Sequence, residues 1–174
     1  MSIAEDWLAR EDVVAREGRI TRLEWMADQL PQCEYIGFHG GPMALYLYEE
    51  VRYCFAYGQY LATIVVGLAF IEHSLASRFH EGKRSDLKRA SASKLFTEAR
   101  NEGWITQTEF DNLEHARKVR NPVTHFHEFE EDDTIEMRSL KQHNYPYSIL
   151  EADAYHVMET IFHLIGTNLL CKTV

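Results

Sequence analysis

The chain has 174 residues and a mass of 20.3 kDa, enough for one ordinary domain whose core needs no disulfide or metal staples. Hydrophobic residues make up 45% and charged residues 26%, which excludes a disordered or collagen-like chain. The formal charge of −9, from 18 basic and 27 acidic residues, excludes a protein that coats nucleic acid or anionic membrane with its whole surface, though not a small local basic site.

From the amino end, Ser2 followed by Glu5 forms a capping-box signature for a first helix, with apolar Trp7, Leu8, Val13 and Val14. Gly18 is expected to interrupt this helix, and Pro31 to stop its continuation. Residues 32–43 read as a glycine-rich connection, so 1–43 is expected to be an N-terminal helical extension with its loop and 44–174 the core bundle. No secretory signal is expected in Met1–Glu17, where acids interrupt the apolar residues. The odd, scattered Cys33, Cys54 and Cys171 read as reduced thiols in a cytoplasmic protein.

Two apolar segments, 44–57 and 59–79, follow, with Gly58 at their boundary. On a helical wheel Leu61, Val65, Leu68, Leu75 and Phe79 fall within about 80° of one another. Thr63, Val66 and Phe70 make the other side largely apolar too, so this helix is expected at the centre of a bundle or in an oligomer interface. Glu72 lies inside the apolar stripe. The run Tyr60–Ile71 is 12 residues, short of the roughly 20 that span a bilayer, so no membrane association is expected.

Residues 80–92 read as a polar, basic loop leading to a helix over 93–102 that Gly103 ends. Thr106 and Glu109 form a second capping box, opening a helix to about Arg120. Asn121-Pro122 is expected to break or kink that helix, because proline lacks an N–H and restricts the residue before it. A short helical piece, an acidic loop over 128–136 and a final helix capped by Ser148 and Glu151 complete the reading. The expected fold is one all-α, up-down helical bundle.

The segment 113–126, LEHARKVRNPVTHF, carries the chemistry. Arg120 falls on the apolar side of its helix, where a guanidinium needs an anion: an internal carboxylate, a partner chain or a phosphate. If Asn121 capped a new helix with Pro122 at its first position, free N–H groups would add anion donors beside His125, which can exchange a proton near neutral pH. In an unbroken helix Arg120 and His125 would point about 140° apart. Their convergence therefore needs either a break at Pro122 or the same segment from a second chain.

Arg120-Asn121-x-x-x-His125, at the end of an amphipathic helix and after a long apolar helix with an internal Glu72, resembles the motif of the HEPN superfamily (higher eukaryotes and prokaryotes nucleotide-binding). The resemblance covers most of residues 44–170, and its specific part is those six positions. It implies an up-down bundle that forms a homodimer with both motifs in a shared cleft. Many members are metal-independent endoribonucleases, often toxins of toxin-antitoxin pairs or effectors of antiviral defence against phage. Carried over, His125 is the acid/base group, Arg120 stabilises the phosphorane-like transition state, and Asn121 orients the phosphate or the imidazole. No cofactor and no metal are implied; RNA is the substrate, with an antitoxin or regulatory protein as a further partner.

Arg84, Lys88 and Arg89 in the 78–94 segment, with Arg117 and Lys118, are the expected RNA-facing strip. The same residues also carry plainer readings. Arg120 can close an ion pair with Glu72, Asn121 can be a helix cap, and the basic strip can be a solvated loop. His115, His125 and His127 with Glu128 invite a metal reading but lack a complete ligand set. A non-catalytic module that binds a nucleotide or partner protein is the alternative function, and an inhibitor acting through loop 128–136 is a third.

Overall fold

The computed structural model describes residues 2–31 and 37–172. Seven helices carry the described chain: α1 (Ile3–Gln29), α2 (Gly41–Ala56), α3 (Tyr60–Glu81), α4 (Ala92–Asn101), α5 (Gln107–Thr124), α6 (Ile135–Gln142) and α7 (Pro146–Gly166). A 3-10 turn covers Ser85–Leu87. Two-residue strands β1 (Gly37–Phe38) and β2 (Cys171–Lys172) pair antiparallel, Gly37 with Lys172 and Phe38 with Cys171. The fold is all-α.

Helix α3 is the axis of the bundle and packs against α2, α4, α5 and α7. Because neighbours cover it on several sides, its buried arc is broad: Ile64, Leu68, Phe70, Ile71, Leu75 and Phe79 are buried, and so are Thr63 and Ser74. That arc is turned away from the expected stripe at one end, leaving Leu61 exposed. By length and composition α3 could cross a membrane; half of its most apolar window is buried inside the bundle. A β-carbon on Gly67 would lie 2.5 Å from Val157 Cγ1, so a glycine there lets α7 approach α3 closely. Gly58, at φ +72°, makes the turn between α2 and α3 in a conformation that side chains disfavour.

Several boundaries differ from expectation. Helix α1 runs through Gly18 without interruption. One internal glycine costs only about 1 kcal/mol relative to alanine, and here its bare face accommodates Arg22, whose Nη1 lies 3.2 Å from where a β-carbon would sit. Of the expected connection over 32–43, residues 32–36 lie outside the described residues, as does Cys33, while Gly41–Met43 already belong to α2. Both amino-terminal capping boxes, Ser2 with Glu5 and Thr106 with Glu109, form as read.

The expected break at Asn121-Pro122 does not occur. Helix α5 continues to Thr124. Pro122 sits in its last turn, where the missing N–H deprives only the Lys118 carbonyl of a helical partner. The next turn still closes: His125 N–H donates to the Asn121 carbonyl at 2.9 Å, and the Thr124 hydroxyl donates to the Arg120 carbonyl at 3.2 Å. No separate helical piece follows. Instead α6 begins within the expected acidic loop, capped by the Thr134 hydroxyl, which accepts from Met137 N–H at 3.2 Å. Ser148 and Glu151 do not cap α7. Pro146 at its first position opens it earlier, and Glu151 accepts a hydrogen bond from the Tyr60 hydroxyl.

Helix α6 buries none of its residues fully and is tied down by Arg138, whose two terminal nitrogens each donate at 2.6 Å to the buried Asp153 carboxylate on α7. Helix α1 is anchored only by its carboxyl half. Trp25 packs on Phe55, Tyr155 and Phe162, and Arg22 donates to the Ala56 carbonyl and the Tyr60 hydroxyl, both at 3.1 Å. Residues 2–14 are all exposed.

Candidate functional site at the end of α5

The spacing of Leu113, Ala116 and Val119, all buried, sets which face of α5 meets the core. Arg120, next to Val119, therefore emerges at the edge of the α3 contact. There its Nη2 meets Glu72 Oε1 of α3 at 3.3 Å. Both side chains are partly buried, at 25% and 32% exposure. Arg120 Nε is fully shielded from solvent and has no hydrogen-bond acceptor. One long contact and one orphaned donor leave this guanidinium under-satisfied. Burial raises the Glu72 carboxyl above its ordinary value, and the Arg120 charge pulls it back only in part.

Asn121 is partly buried and follows Arg120 on the helix; its carbonyl, not its side chain, makes the helix-closing bond to His125. His125 ends α5 in an extended conformation (φ −127°, ψ 146°) with its ring in solvent. It is thus a carboxyl-terminal residue of α5 and not part of the first turn of a new helix. The anion-binding helix start expected beside it is absent at this point of the chain. The helix is continuous to Thr124, so the break expected to bring His125 back toward Arg120 is not made, and His125 leaves helical geometry only as the cap residue.

The basic strip divides. Arg84 is held by three carboxylates, Asp86 at 3.1 Å, Glu98 at 3.0 Å and Glu102 at 3.0 Å. Arg117 is bound by Glu114 on its own helix through contacts of 2.8 to 3.1 Å. Lys88, Arg89 and Lys118 are exposed. Lys88 lines a cavity of about 550 Å³ with His73, His80 and Lys172, a wall that includes none of Arg120, Asn121 and His125.

Of the histidines weighed for a metal, His115 stacks edge-on against His156 at 4.5 Å, and burial followed by the His156 charge lowers its pKa. The structure gathers His127 instead with Glu131 (Nδ1 to Oε2, 2.8 Å) and Asp133 (Nδ1 to Oδ1, 3.5 Å). Their donor atoms lie within 4.8 Å of one another. This group serves as an ion pair when the imidazole is protonated, and the same three donors could hold a divalent cation. Sequence reading missed it because Glu131 and Asp133 fold back by a turn that ends in the Glu131 N–H donation to the Glu128 carbonyl at 3.0 Å.

No family model, curated protein or solved structure matches the chain.

Proposed function

We propose that the chain is a HEPN-like endoribonuclease that cleaves RNA by transesterification through the ribose 2′-hydroxyl, acting as a toxin or anti-phage effector. The observation that carries this reading is the under-satisfied Arg120: a half-buried guanidinium with an unpaired Nε beside a carboxylate it barely reaches. The enclosed Nε is out of a ligand's reach, so a phosphate would meet the part of the Arg120 side chain that stays exposed, where a fork-shaped cation is the fitting partner for phosphate oxygens. The long contact to Glu72 orients Arg120 without occupying all of its donors.

Because α5 does not break at Pro122, the site is proposed to be composite: Arg120 of one copy acts with His125 of a second copy across a two-fold axis. The exposed imidazole takes the proton from the 2′-hydroxyl as that oxygen attacks phosphorus. The bond from phosphorus to the 5′-oxygen breaks, and that oxygen leaves as a hydroxyl after taking a proton from solvent water. Arg120 offsets the charge that accumulates on the equatorial oxygens, and Asn121 orients the phosphate. The products carry a 2′,3′-cyclic phosphate and a 5′-hydroxyl, and DNA is not cut. Lys118, Lys88 and Arg89 supply the exposed cations that attract the backbone.

The test is incubation of pure protein with mixed RNA in the presence of chelator, with product ends mapped. Products bearing 5′-hydroxyls, lost in His125→Ala, support the reading. Intact RNA at every protein concentration rejects it. A second reading, a nucleotide- or protein-binding module without catalysis, is favoured by the charge of −9 and by the carboxylates that neutralise Arg84 and Arg117. Intact RNA together with measurable nucleotide binding supports that one.

A further inference from the structure

We propose that α1 is a self-association element that packs antiparallel against the α1 of a second copy. The inference does not rest on the ribonuclease reading, since none of the residues involved belongs to the Arg120 site. Helix α1 is about 40 Å long, yet only Met26 along it is buried. Residues 2–14 are exposed throughout, and an isolated helix of that length is marginal in water. A neighbouring helix supplies the burial it lacks.

Exposed apolar side chains lie on more than one side of α1, with Ile3, Trp7 and Val14 on one and Leu8, Val13, Ile20 and Leu23 on the other; the side that fits is the second, because it continues into a groove against α2. Leu8, Ala9, Val13, Ile20 and Leu23 share one side of α1, and Leu8, Val13, Ile20 and Leu23 are exposed large apolar side chains. The Arg19–Asp12 ion pair at 2.8 Å, seven residues apart, lies along the same side. In its carboxyl half this face forms one wall of a groove of about 590 Å³, whose other wall is α2 with Arg52, Tyr53 and Tyr57.

Charge selects the occupant. Glu5 and Asp12 lie on the amino half of this face, whereas Arg16, Arg19 and the α2 residue Arg52 lie on the carboxyl half. Glu49 is the acid among the groove's lining residues. Two copies placed antiparallel set the acidic half of each on the basic half of the other; a parallel arrangement would set like on like. The contact is isologous and closes on itself as a two-fold pair. With the axis near residue 14, Asp12 of each copy lies opposite Arg16 of the other.

The experiment is sedimentation equilibrium of the full chain, with circular dichroism to verify helix content. Ile20→Glu, Asp12→Arg and Arg16→Glu should each halve the wild-type mass at micromolar concentration, while Asp12→Arg combined with Arg16→Glu should restore it. Val14→Glu, on the opposite side of α1, should leave the mass unchanged. A wild-type chain that is monomeric throughout overturns the proposal. So does an assembly whose mass survives Ile20→Glu, or one that Val14→Glu disrupts as strongly as Ile20→Glu.

Discussion

Arg120 of α5 reaches Glu72 of α3 by one contact of 3.3 Å, while its own Nε is enclosed without a partner. A pair made only for stability would more economically close as a fork, as Arg138 and Asp153 do at 2.6 Å through both nitrogens. Of these two ion pairs in one small bundle, Arg138 holds its carboxylate by two short bonds and Arg120 by one long one.

Glu72 gives a pH test of that pair. Burial raises its carboxyl above the ordinary value despite Arg120. A raised folded value favours the protonated form, so its stabilising contribution is present below the unfolded value and lost as pH rises through the folded one. Glu72→Gln should therefore match the wild type near pH 4 and become the more stable of the two as pH rises to 7. Urea unfolding at both values checks this; a wild type that gains on the variant with rising pH contradicts it.

In the ribonuclease reading, Arg120→Ala should slow RNA cleavage about 100- to 1,000-fold, the usual cost of one transition-state donor. Arg120→Lys, which keeps the charge and loses the fork, should recover only a small part. His125→Ala should remove cleavage with no change in thermal midpoint, because its ring is in solvent. Initial rates on a defined RNA, beside melting curves, separate loss of chemistry from loss of fold.

Arg138→Met should destabilise the chain by about 3–5 kcal/mol, since it strands a buried carboxylate at Asp153. The companion change of both partners, Arg138→Met with Asp153→Leu, should restore most of that loss. Denaturant titration of the single and double variants measures it. The α6 amides should exchange faster in the single variant, because α6 has no fully buried residue to hold it.

Gly67→Ala should cost about 1–3 kcal/mol, because the new β-carbon would fall 2.5 Å from Val157 Cγ1 and 3.3 Å from both Ile161 Cδ1 and Val51 Cγ2. Gly166→Ala, whose β-carbon would meet only Pro31 Cβ at 3.4 Å, is the control and should be near neutral or stabilising. Thermal melts of the two variants compare them directly.

The all-α class and most helix starts were legible because they depend on local chemistry: Ser2 with Glu5, Thr106 with Glu109, and Gly58 between two apolar runs. The side of α5 on which Arg120 emerges was legible for the same reason, since helical periodicity sets it. Pro122 misled because its effect depends on position; the same residue that would break a helix at mid-length merely trims one already ending. Helix α6 was hidden by its acidic approach and depends on a distant partner, Asp153. The β1–β2 pairing joins residues far apart in sequence and leaves no periodic trace in two-residue strands.

The composite arrangement is tested most directly by mixing two impaired variants. Arg120→Ala and His125→Ala, each expected to cleave at least about 100-fold more slowly than wild type alone, are combined, allowed to exchange subunits, and assayed on RNA. If each site draws Arg120 from one copy and His125 from the other, mixed pairs carry one intact site and the mixture recovers about a quarter of wild-type cleavage. If the mixture stays as impaired as the variants alone while subunit exchange is demonstrated, the two groups do not act across copies and the proposed site is contradicted.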